Sequence, residues 1–219
     1  MKTRPAARRI KEVRPTRDVI LDAAERRFAE RGFAGVSVRE IAGDAGLKNQ
    51  ASLYHHFKNK KALYEAVLQR GLEPLIAMVS ESNTAGDAAD PGIERVVDYL
   101  ATRPYLPRLI QRAGLDDSKT LRGTVSKLLS PLYTNGLRVL ALGSGSWPPS
   151  EVPHLAAGLY HLIFGYFANA ALLETVLHDD PRSPEALERQ AHFLKTAVAR
   201  LLGGEAPPAR LPRSLGSGS

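Results

Sequence analysis

The stretch Gly46-Leu47-Lys48-Asn49-Gln50-Ala51-Ser52-Leu53-Tyr54-His55-His56-Phe57-Lys58-Asn59-Lys60 combines many polar and cationic side chains with only a few apolar ones. Its amide, hydroxyl, imidazole and ammonium groups donate hydrogen bonds, and the bases and phosphates exposed in the major groove of DNA offer many acceptors. A short helix over about residues 49–56, with Leu53 and Phe57 turned toward a small core, therefore suits a major groove. This pattern predicts a nucleic-acid-binding module.

Two helices are expected ahead of this stretch. Apolar side chains recur at helical spacing through Thr16–Arg31, and Gly32 is placed to end that helix. Ser37 followed by Glu40 is a capping box, which predicts a second helix over about residues 38–45. Gly46 then supplies the tight turn that a helix-turn-helix needs between its two helices.

Positive charge is concentrated in the same third of the chain. Residues 1–70 contain 16 Lys and Arg and 8 Asp and Glu, a net charge of +8, and residues 71–219 contain 14 and 15, a net charge of −1, which together give +7. This distribution indicates a polyanion-binding module joined to a neutral one, with a solvated basic face as the alternative. Residues 1–15 are basic and carry two prolines, so they predict a flexible arm that either contacts DNA or only raises nonspecific affinity.

Composition argues against several other classes of protein. The chain has no cysteine, so disulfides and thiolate metal sites are excluded, and no apolar run follows the basic N-terminus. We therefore expect a cytoplasmic protein. Residues 155–173 carry no charge and approach the length of a membrane span. Because Tyr160, His161, Tyr166 and Asn169 interrupt them, we expect a buried helix and no membrane insertion.

No catalytic or metal constellation is indicated. His161 with Glu174, and His154 with Glu151, can be drawn as acid–base or metal pairs, but neither has a third ligand. The sequence contains no phosphate-binding loop, nucleophile elbow or zinc-protease helix. We therefore expect no enzyme activity, no cofactor and no metal.

Helical periodicity continues beyond residue 60, without a convincing strand pattern. Asn59 is expected to cap a fourth helix that Gly71 and Pro74 kink or break, and residues 83–91 have the composition of a loop. A later helix from residue 121 toward 142 should be disturbed by Pro131 and Gly136.

Two helices are expected to complete the chain. One apolar helix should run from about residue 151 to 178, and Ser183 or its neighbour should cap the last helix. The last helix has apolar residues at alternating steps of four and three, which is typical of the seam of a helical bundle. The seam residues are Leu187, Ala191, Leu194, Val198 and Leu201.

A family resemblance rests on Phe28-Ala29-Glu30-Arg31-Gly32, Ser37, Ile41-Ala42, Ala45-Gly46 and Leu53-Tyr54-His55-His56-Phe57-Lys58-Asn59-Lys60. In combination, over about residues 16–68, these motifs closely resemble the TetR (TetR/AcrR-type) family of bacterial transcriptional regulators. The resemblance implies an all-α protein with an N-terminal helix-turn-helix domain of three helices. One departure is that seven residues separate Gly46 from Tyr54, where the family usually has six. An extra residue would rotate the exposed positions of the third helix by about a third of a turn.

The resemblance also implies the organisation and the function of the chain. We expect a flexible basic arm at residues 1–15, a helix-turn-helix DNA-binding domain at 16–60, a helical effector-binding and dimerisation domain at 61–203, and a disordered tail at 204–219. The implied function is that of a ligand-responsive repressor that binds a palindromic operator in double-stranded DNA as a homodimer. The alternatives are a helical ligand-binding or protein-interaction dimer whose basic head docks nonspecifically on nucleic acid, and a peripheral membrane protein.

Candidate DNA contacts follow from the resemblance and from hydrogen-bonding chemistry. Tyr54 and Lys60 are expected to contact phosphates, and His56 either does so or is a satisfied, partly buried histidine. Ser37 and Arg39, at the start of the second helix, are expected to meet the DNA backbone. The candidates for base edges are Lys48, Asn49, Gln50, Ser52 and His55.

Two further surfaces are expected in the C-terminal part. The helices over residues 151–178 and 183–202 are the expected dimer surfaces, unless they form only intrachain core. The family also implies a pocket for a small hydrophobic or amphipathic effector. Its candidate lining residues are Tyr99, Tyr105, Arg112, Tyr133, Tyr160, His161, Phe164, Phe167 and Asn169.

Overall fold

The computed structural model describes residues 14–82, 92–115, 119–143 and 147–203, and it forms helices and short connections, without strands, throughout these ranges. The expected arm (except residues 14 and 15), the expected loop at 83–91 and the expected tail lie outside the described residues. The helices are α1 Thr16–Arg31, α2 Val38–Asp44, α3 Gln50–Tyr54, α4 Lys60–Ser82, α5 Ile93–Ala101, α6 Leu106–Leu115, α7 Lys119–Gly143, α8 Val152–Ala168, α9 Ala170–Leu177 and α10 Pro184–Leu201. Below, residues 16–60 are called the head and residues 61–203 the body.

The head is a three-helix unit whose core is completed by α4. Ile20, Phe28, Ile41 and Leu53 from α1, α2 and α3 are fully buried. The ring of Tyr64 on α4 meets the ring of Phe28 edge-on, with centroids 5.0 Å apart. Such aromatic pairs contribute about 0.5–1.5 kcal/mol beyond the area they bury. The first turns of α4 therefore belong to the packing of the head.

Local capping confirms the expected helix starts. The backbone N–H of Glu40 donates to Ser37 Oγ at 3.2 Å, and the backbone N–H of Ser37 donates to Glu40 Oε2 at 2.8 Å. Asn59 Oδ1 accepts from the backbone N–H of Ala62 at 2.8 Å, at the start of α4. These side chains satisfy N–H groups that have no partner inside the helix.

The fourth helix does not break, because α4 is continuous from Lys60 to Ser82 across Gly71 and Pro74, and a kink at these residues stays a prediction. Proline removes one hydrogen bond, but α4 packs against α1, α6 and α7 and fully buries Leu72 and Leu75, which offsets that loss. Gly71 has a packing role, since a Cβ at this position would collide with the side chain of Leu106 on α6. In the same way α7 continues across Pro131.

The expected single apolar helix over residues 151–178 is also wrong, because it is divided into α8 and α9, which meet at an angle of 74°. Asn169 lies at the bend, and its side-chain amide and its backbone N–H both donate to the carbonyl oxygen of Gly165. A short polar side chain that bonds to nearby backbone competes with continuation of a helix. Among the described residues no single helix is long and apolar enough to cross a membrane, and α8 and α9 reach that length and composition only as a bent pair.

The last helix begins as expected, since Ser183 Oγ accepts from the backbone N–H of Ala186 at 3.2 Å. The apolar seam of α10, however, packs against other helices of the same chain. Ala191, Leu194 and Val198 are buried, and α10 packs against α5 and α8. Neighbouring helices of the same chain therefore cover the seam residues, and the dimer surface on the last two helices stays a prediction.

A charged cluster joins the head to the body. Arg70 on α4 donates to Asp22 at 2.8 Å and to Glu25 at 2.7 Å, and Arg103, before α6, approaches Glu25 at 3.4 Å. Glu25 is only 5% exposed. Burial opposes the charged form of Arg70, but the two carboxylates more than offset it and raise the pKa of Arg70. The cluster therefore fixes α1 against both α4 and the turn between α5 and α6.

Candidate nucleic-acid interface

The turn between α2 and α3 depends on a glycine in the left-handed backbone region. Gly46 has φ +68°, and its N–H donates to the carbonyl of Gly43 at 3.0 Å. The N–H of Leu47 donates to Ala42 at 2.9 Å, which closes the turn. This geometry sets the direction in which α3 leaves α2 and thus the face that α3 presents.

The glycine requirement gives a testable prediction. Gly46→Ala should lower the free energy of unfolding by about 1–2 kcal/mol, because a Cβ in the left-handed region is strained. The matched control is Gly43→Ala in α2. A Cβ at either position meets nothing within 4 Å, so only the backbone conformation differs. Gly43→Ala should stabilise by about 0.5–1 kcal/mol, because Ala favours the helix. Equal effects of the two substitutions in urea unfolding would contradict the assignment.

Helix α3 presents a polar face to solvent. Leu53 is fully buried, whereas Gln50 and Tyr54 are exposed, Tyr54 to 47%. Lys48, before the helix, and His55, after it, are exposed as well. The side chains of Lys48, Gln50 and His55 make no hydrogen bond or ion pair within the described part of the chain, so their polar groups are free to meet base edges.

Two of the predicted base-contacting residues bond to each other. Asn49 is the N-cap of α3, and its Oδ1 accepts from the backbone N–H of Ser52 at 3.0 Å and from the Ser52 hydroxyl at 3.2 Å. A bidentate contact with adenine needs that same oxygen as an acceptor. Asn49 and Ser52 therefore hold the start of α3 in the free protein, and their base contacts stay a prediction.

Two residues at the start of α2, Ser37 and Arg39, are predicted to contact the DNA backbone, and they differ in whether their side chains are free to do so. The Ser37 hydroxyl donates to Glu40 at 2.7 Å, so it is already occupied, whereas Arg39 is exposed. Hydrogen bonds from Arg31 and from Ser37 lower the pKa of Glu40 to about 2. Glu40 is thus ionised at neutral pH, and the capping box that holds the N-terminus of α2 stays intact.

Lys60 is only partly exposed, and its ammonium group lies over an aromatic ring. Its Nζ lies 4.4 Å from the centroid of the Phe33 ring, and burial lowers its pKa. His56 is exposed, which disfavours the alternative of a partly buried histidine. Both residues adjoin the start of α4, but their phosphate contacts are not tested by this geometry and stay predictions.

The charges of the head divide into paired and unpaired groups. Arg26 and Arg27 both pair with Asp44, at 2.7 and 2.5 Å, and these contacts hold the pKa of Asp44 well below its usual range. By contrast, four exposed cations around α3 have no carboxylate partner within the described residues. They are Arg17, Arg39, Lys48 and Lys58. Lys48 and Lys58 thus flank α3 in the sequence, Arg17 lies against Phe57 just beyond it, and Arg39 lies near the start of α2.

Sequence reasoning missed two of these cations. The guanidinium of Arg17, near the start of α1, lies 5.2 Å from the centroid of the Phe57 ring, just beyond α3. Lys58 follows Phe57 and is exposed. The available signal for Arg17 was a cation at the start of an apolar helix. Its contact with a ring 40 positions later required the fold.

The nine predicted effector residues fall into three groups by their contacts, and their role in binding an effector stays a prediction. Tyr105, Arg112, Phe167 and Asn169 line one cleft. The hydroxyl of Tyr99 instead donates to the carbonyl of Gly71 at 3.0 Å. The remaining four form an aromatic cluster on α7 and α8, consisting of Tyr133, Tyr160, His161 and Phe164.

The aromatic cluster is centred on Tyr160. Its ring lies 5.6 Å from that of Tyr133 and 4.7 Å from that of Phe164, measured between centroids. Burial raises the pKa of Tyr160 to about 12, so its hydroxyl is neutral. The stacked pair of Tyr160 and Phe164 lies within α8, and the contact of Tyr160 with Tyr133 joins α8 to α7.

Known proteins resemble the chain in both sequence and fold. Residues 20–67 match the family model described as bacterial regulatory proteins, tetR family. The chain is 32% identical over 118 residues to the HTH-type transcriptional repressor DhaR of Mycobacterium sp. (strain GP1), over 54% of each chain. It is 46% identical over 57 residues to the repressor KstR2 of Mycolicibacterium smegmatis, over 26% of this chain and 27% of KstR2. The matched parts thus span about half of DhaR and about a quarter of KstR2.

The body is matched at the level of fold. The structure of the fatty acid degradation regulator FadR from Bacillus halodurans superposes with a TM-score of 0.64 at 19% identity, over 83% of this chain and 95% of FadR. All of these matches are with regulators. The motif at the head and the arrangement of α1–α3 agree with the match over residues 20–67, so this part of the chain is a domain of the tetR family of bacterial regulatory proteins, and the body shares the fold of FadR.

Proposed function

We propose that the chain is a sequence-specific DNA-binding transcriptional regulator in which α3 is the recognition helix. The observation that carries this proposal is the exposed polar face of α3, surrounded by unpaired cations. Lys48, Gln50 and His55 would meet base edges in the major groove. Arg17 and Arg39 would meet the phosphates on either side, which contribute affinity without sequence preference.

The regulator acts as a homodimer on a palindromic operator in this proposal. One head reaches only a few base pairs, and two heads related by a twofold axis read half-sites about 34 Å apart. Support comes from large apolar side chains on the last three helices that are exposed in the single chain, namely Leu162, Val176, Leu177 and Phe193. A Cβ at Gly158 or Gly165 on α8 would meet nothing within 4 Å, so a helix of a second copy has room to approach.

Repression and ligand response complete the proposal. DhaR and KstR2 are named as transcriptional repressors, which favours repression for this chain. A small hydrophobic or amphipathic effector would change the operator affinity only if it bound the two orientations of the heads with different affinity. A regulator of this kind meets its operator in the cytoplasm.

Selection of bound sequences from random double-stranded DNA tests the proposal. We expect one enriched motif with twofold symmetry and half-sites about one helical turn apart. Retention of a labelled fragment carrying this motif in the presence of competitor DNA then measures specificity. Enrichment of no motif would contradict the proposal and would instead indicate a head that docks on nucleic acid without sequence preference.

The phosphate contacts of Lys60 and Tyr54 give a second prediction. Lys60→Met keeps an apolar contact with Phe33 but removes the charge, so it should weaken binding to all sequences alike. It should also reduce the slope of log affinity against log salt by about 1 for each head. Tyr54→Phe should weaken all sequences alike through the loss of one hydrogen bond.

The matched control for this experiment is Lys61→Met. Lys61 is the next residue, and its ammonium lies 3.8 Å from Glu65. The salt slope of this variant should stay close to that of the parent protein. A salt titration that gave Lys60→Met and Lys61→Met the same slope would contradict the phosphate assignment of Lys60.

A further inference from the structure

A cleft of about 870 Å³ lies between the head and the body. One side is the end of α1 with the turn that follows it, residues 31–34. The other sides are α6, the bend between α8 and α9, and the turn at residues 180–182. Small-molecule sites commonly enclose about 300–1,000 Å³. The cleft therefore has the size of a ligand site and is bounded by both parts of the molecule.

The lining of the cleft is cationic, although the body as a whole is nearly neutral. It contains four arginines and two acidic residues, Glu174 and Asp180, a formal balance of 4 − 2 = +2. Within the described residues, Arg108, Arg112 and Arg182 are exposed and their guanidinium groups have no ion-pair partner. The fourth, Arg31, pairs with Glu40. Three guanidinium groups are thus free to bind an anion, and guanidinium matches carboxylate and phosphate geometry.

The same cleft holds large apolar side chains in contact with water. Leu115 at the end of α6 is 80% exposed, and Leu172 on α9 is 61% exposed. Phe33 and Phe167 supply buried or half-buried aromatic surface beside them. Covering such surface stabilises a complex by about 25 cal/mol for each Å² removed from water. The lining therefore offers a cationic part and an apolar part side by side.

We propose that this cleft binds an amphipathic anion, a carboxylate or phosphate head group joined to an aliphatic chain. The head group lies on Arg108 and Arg112, and the aliphatic chain covers Leu115 and Leu172. The inference rests on the proposed function as a regulator, since it assigns the effector site and the effector class. Of the nine residues predicted to line an effector pocket, this cleft includes Tyr105, Arg112, Phe167 and Asn169.

The position of the cleft explains how its occupant alters DNA binding. Gly32 ends α1 with φ +72°, and the Nη1 atom of Arg112 lies 3.7 Å from the place where a Cβ of Gly32 would project. The guanidinium of a body helix thus rests against the C-terminal end of the first helix of the head. An anion bound to Arg112 changes the contact between this guanidinium and the end of α1. The anion therefore binds more tightly to one orientation of the head than to another, and it shifts the protein toward that orientation.

Calorimetric titration of the full chain tests the site. The probes are dodecanoate and dodecyl phosphate, each below its micelle concentration, with dodecanol as the neutral counterpart and inorganic phosphate as the anion without a chain. We expect one of the two amphipathic anions to bind at least about tenfold more tightly than dodecanol and than phosphate, because hydrogen bonds to charged groups contribute about 1.5–3 kcal/mol. The stronger of the two identifies the head group.

Substitutions of residues that line the cleft test whether the anion binds there. Arg108→Gln with Arg112→Gln should weaken the preferred anion at least about tenfold. The control is Arg138→Gln on α7, an exposed arginine away from the cleft, which should leave the affinity unchanged. Leu172→Glu, which places a negative charge beside the apolar surface, should also weaken binding and provides a second variant if the double variant does not fold. Thermal unfolding of each variant checks its fold.

The outcomes separate this inference from the proposed function. Equal affinity of the preferred anion for the double variant and the Arg138→Gln control overturns the site, and so does the absence of binding by both anions. Operator affinity is measured separately without any probe. If the parent protein selects no DNA sequence, the proposed function fails, whatever the calorimetry gives. If it selects an operator and the preferred anion leaves operator affinity unchanged, the regulatory role of the cleft is overturned.

Discussion

Replacing Arg70 with methionine is expected to lower the free energy of unfolding by about 3–5 kcal/mol. The substitution keeps most of the apolar stem but removes the guanidinium that bonds to both Asp22 and Glu25. Glu25 is only 5% exposed, and its remaining partner is Arg103 at 3.4 Å. A buried carboxylate that loses its main partner is poorly compensated, and this loss, more than the lost attraction, causes the large effect.

Two control variants distinguish this explanation from a general effect of removing arginine. Arg189→Met removes an exposed ion pair with Asp179 and should cost less than about 1 kcal/mol. Combining Arg70→Met with Glu25→Gln removes the buried charge together with its partner, so it should restore part of the stability. Chemical unfolding of the three variants measures these differences. The cluster would lose its assigned role if Arg70→Met cost no more than Arg189→Met.

Because the cluster joins α1 to the body, its loss should also affect DNA binding. The double variant removes the ionic connection through Arg70 and leaves no buried carboxylate without its main partner. We expect a folded protein whose heads are less strictly oriented and whose operator affinity is lower than that of the parent.

The second large effect, a loss of discrimination between operator and unrelated DNA, is expected from Gln50→Ala. Gln50 is exposed at the start of α3, and its amide has no hydrogen-bond partner among the described residues. A bidentate contact between an amide and adenine contributes about 1–3 kcal/mol of discrimination against the wrong base. In a homodimer the contact is lost in both half-sites, so the discrimination between operator and unrelated DNA should fall by about twice that amount. Nonspecific affinity and its salt dependence should stay unchanged.

The controls for Gln50 separate recognition from stability. Gln69→Ala removes an exposed amide on α4 that donates to Glu73, outside the interface, and should leave base preference unchanged. Asn49→Ala removes the cap of α3 and should lower the free energy of unfolding by about 1 kcal/mol. Repeating the selection from random DNA with each variant gives the base preference directly. An unchanged motif with Gln50→Ala would exclude Gln50 as a base-contacting residue.

The sequence by itself determined the elements that depend on contacts within four residues. The capping box of Ser37 and Glu40, the cap at Asn59 and the turn at Gly46 all form where the sequence predicted them. Their energies arise from local hydrogen bonds and from backbone sterics, and both follow from neighbouring residue types. The motif from Gly46 to Lys60 predicted the all-α fold and a DNA partner only in combination with the capped second helix and the positive charge of residues 1–70.

Tertiary structure alone decided the features that depend on distant packing. Helix α4 passes through Pro74 because burial against α1, α6 and α7 outweighs one lost hydrogen bond, a balance that no local pattern contains. The ionic cluster pairs Glu25 with Arg70 and Arg103. The cleft likewise brings residues 31–34 next to residues 167–182. Such contacts join residues tens to more than a hundred positions apart, and sequence periodicity indicates which face is buried but not which partner covers it.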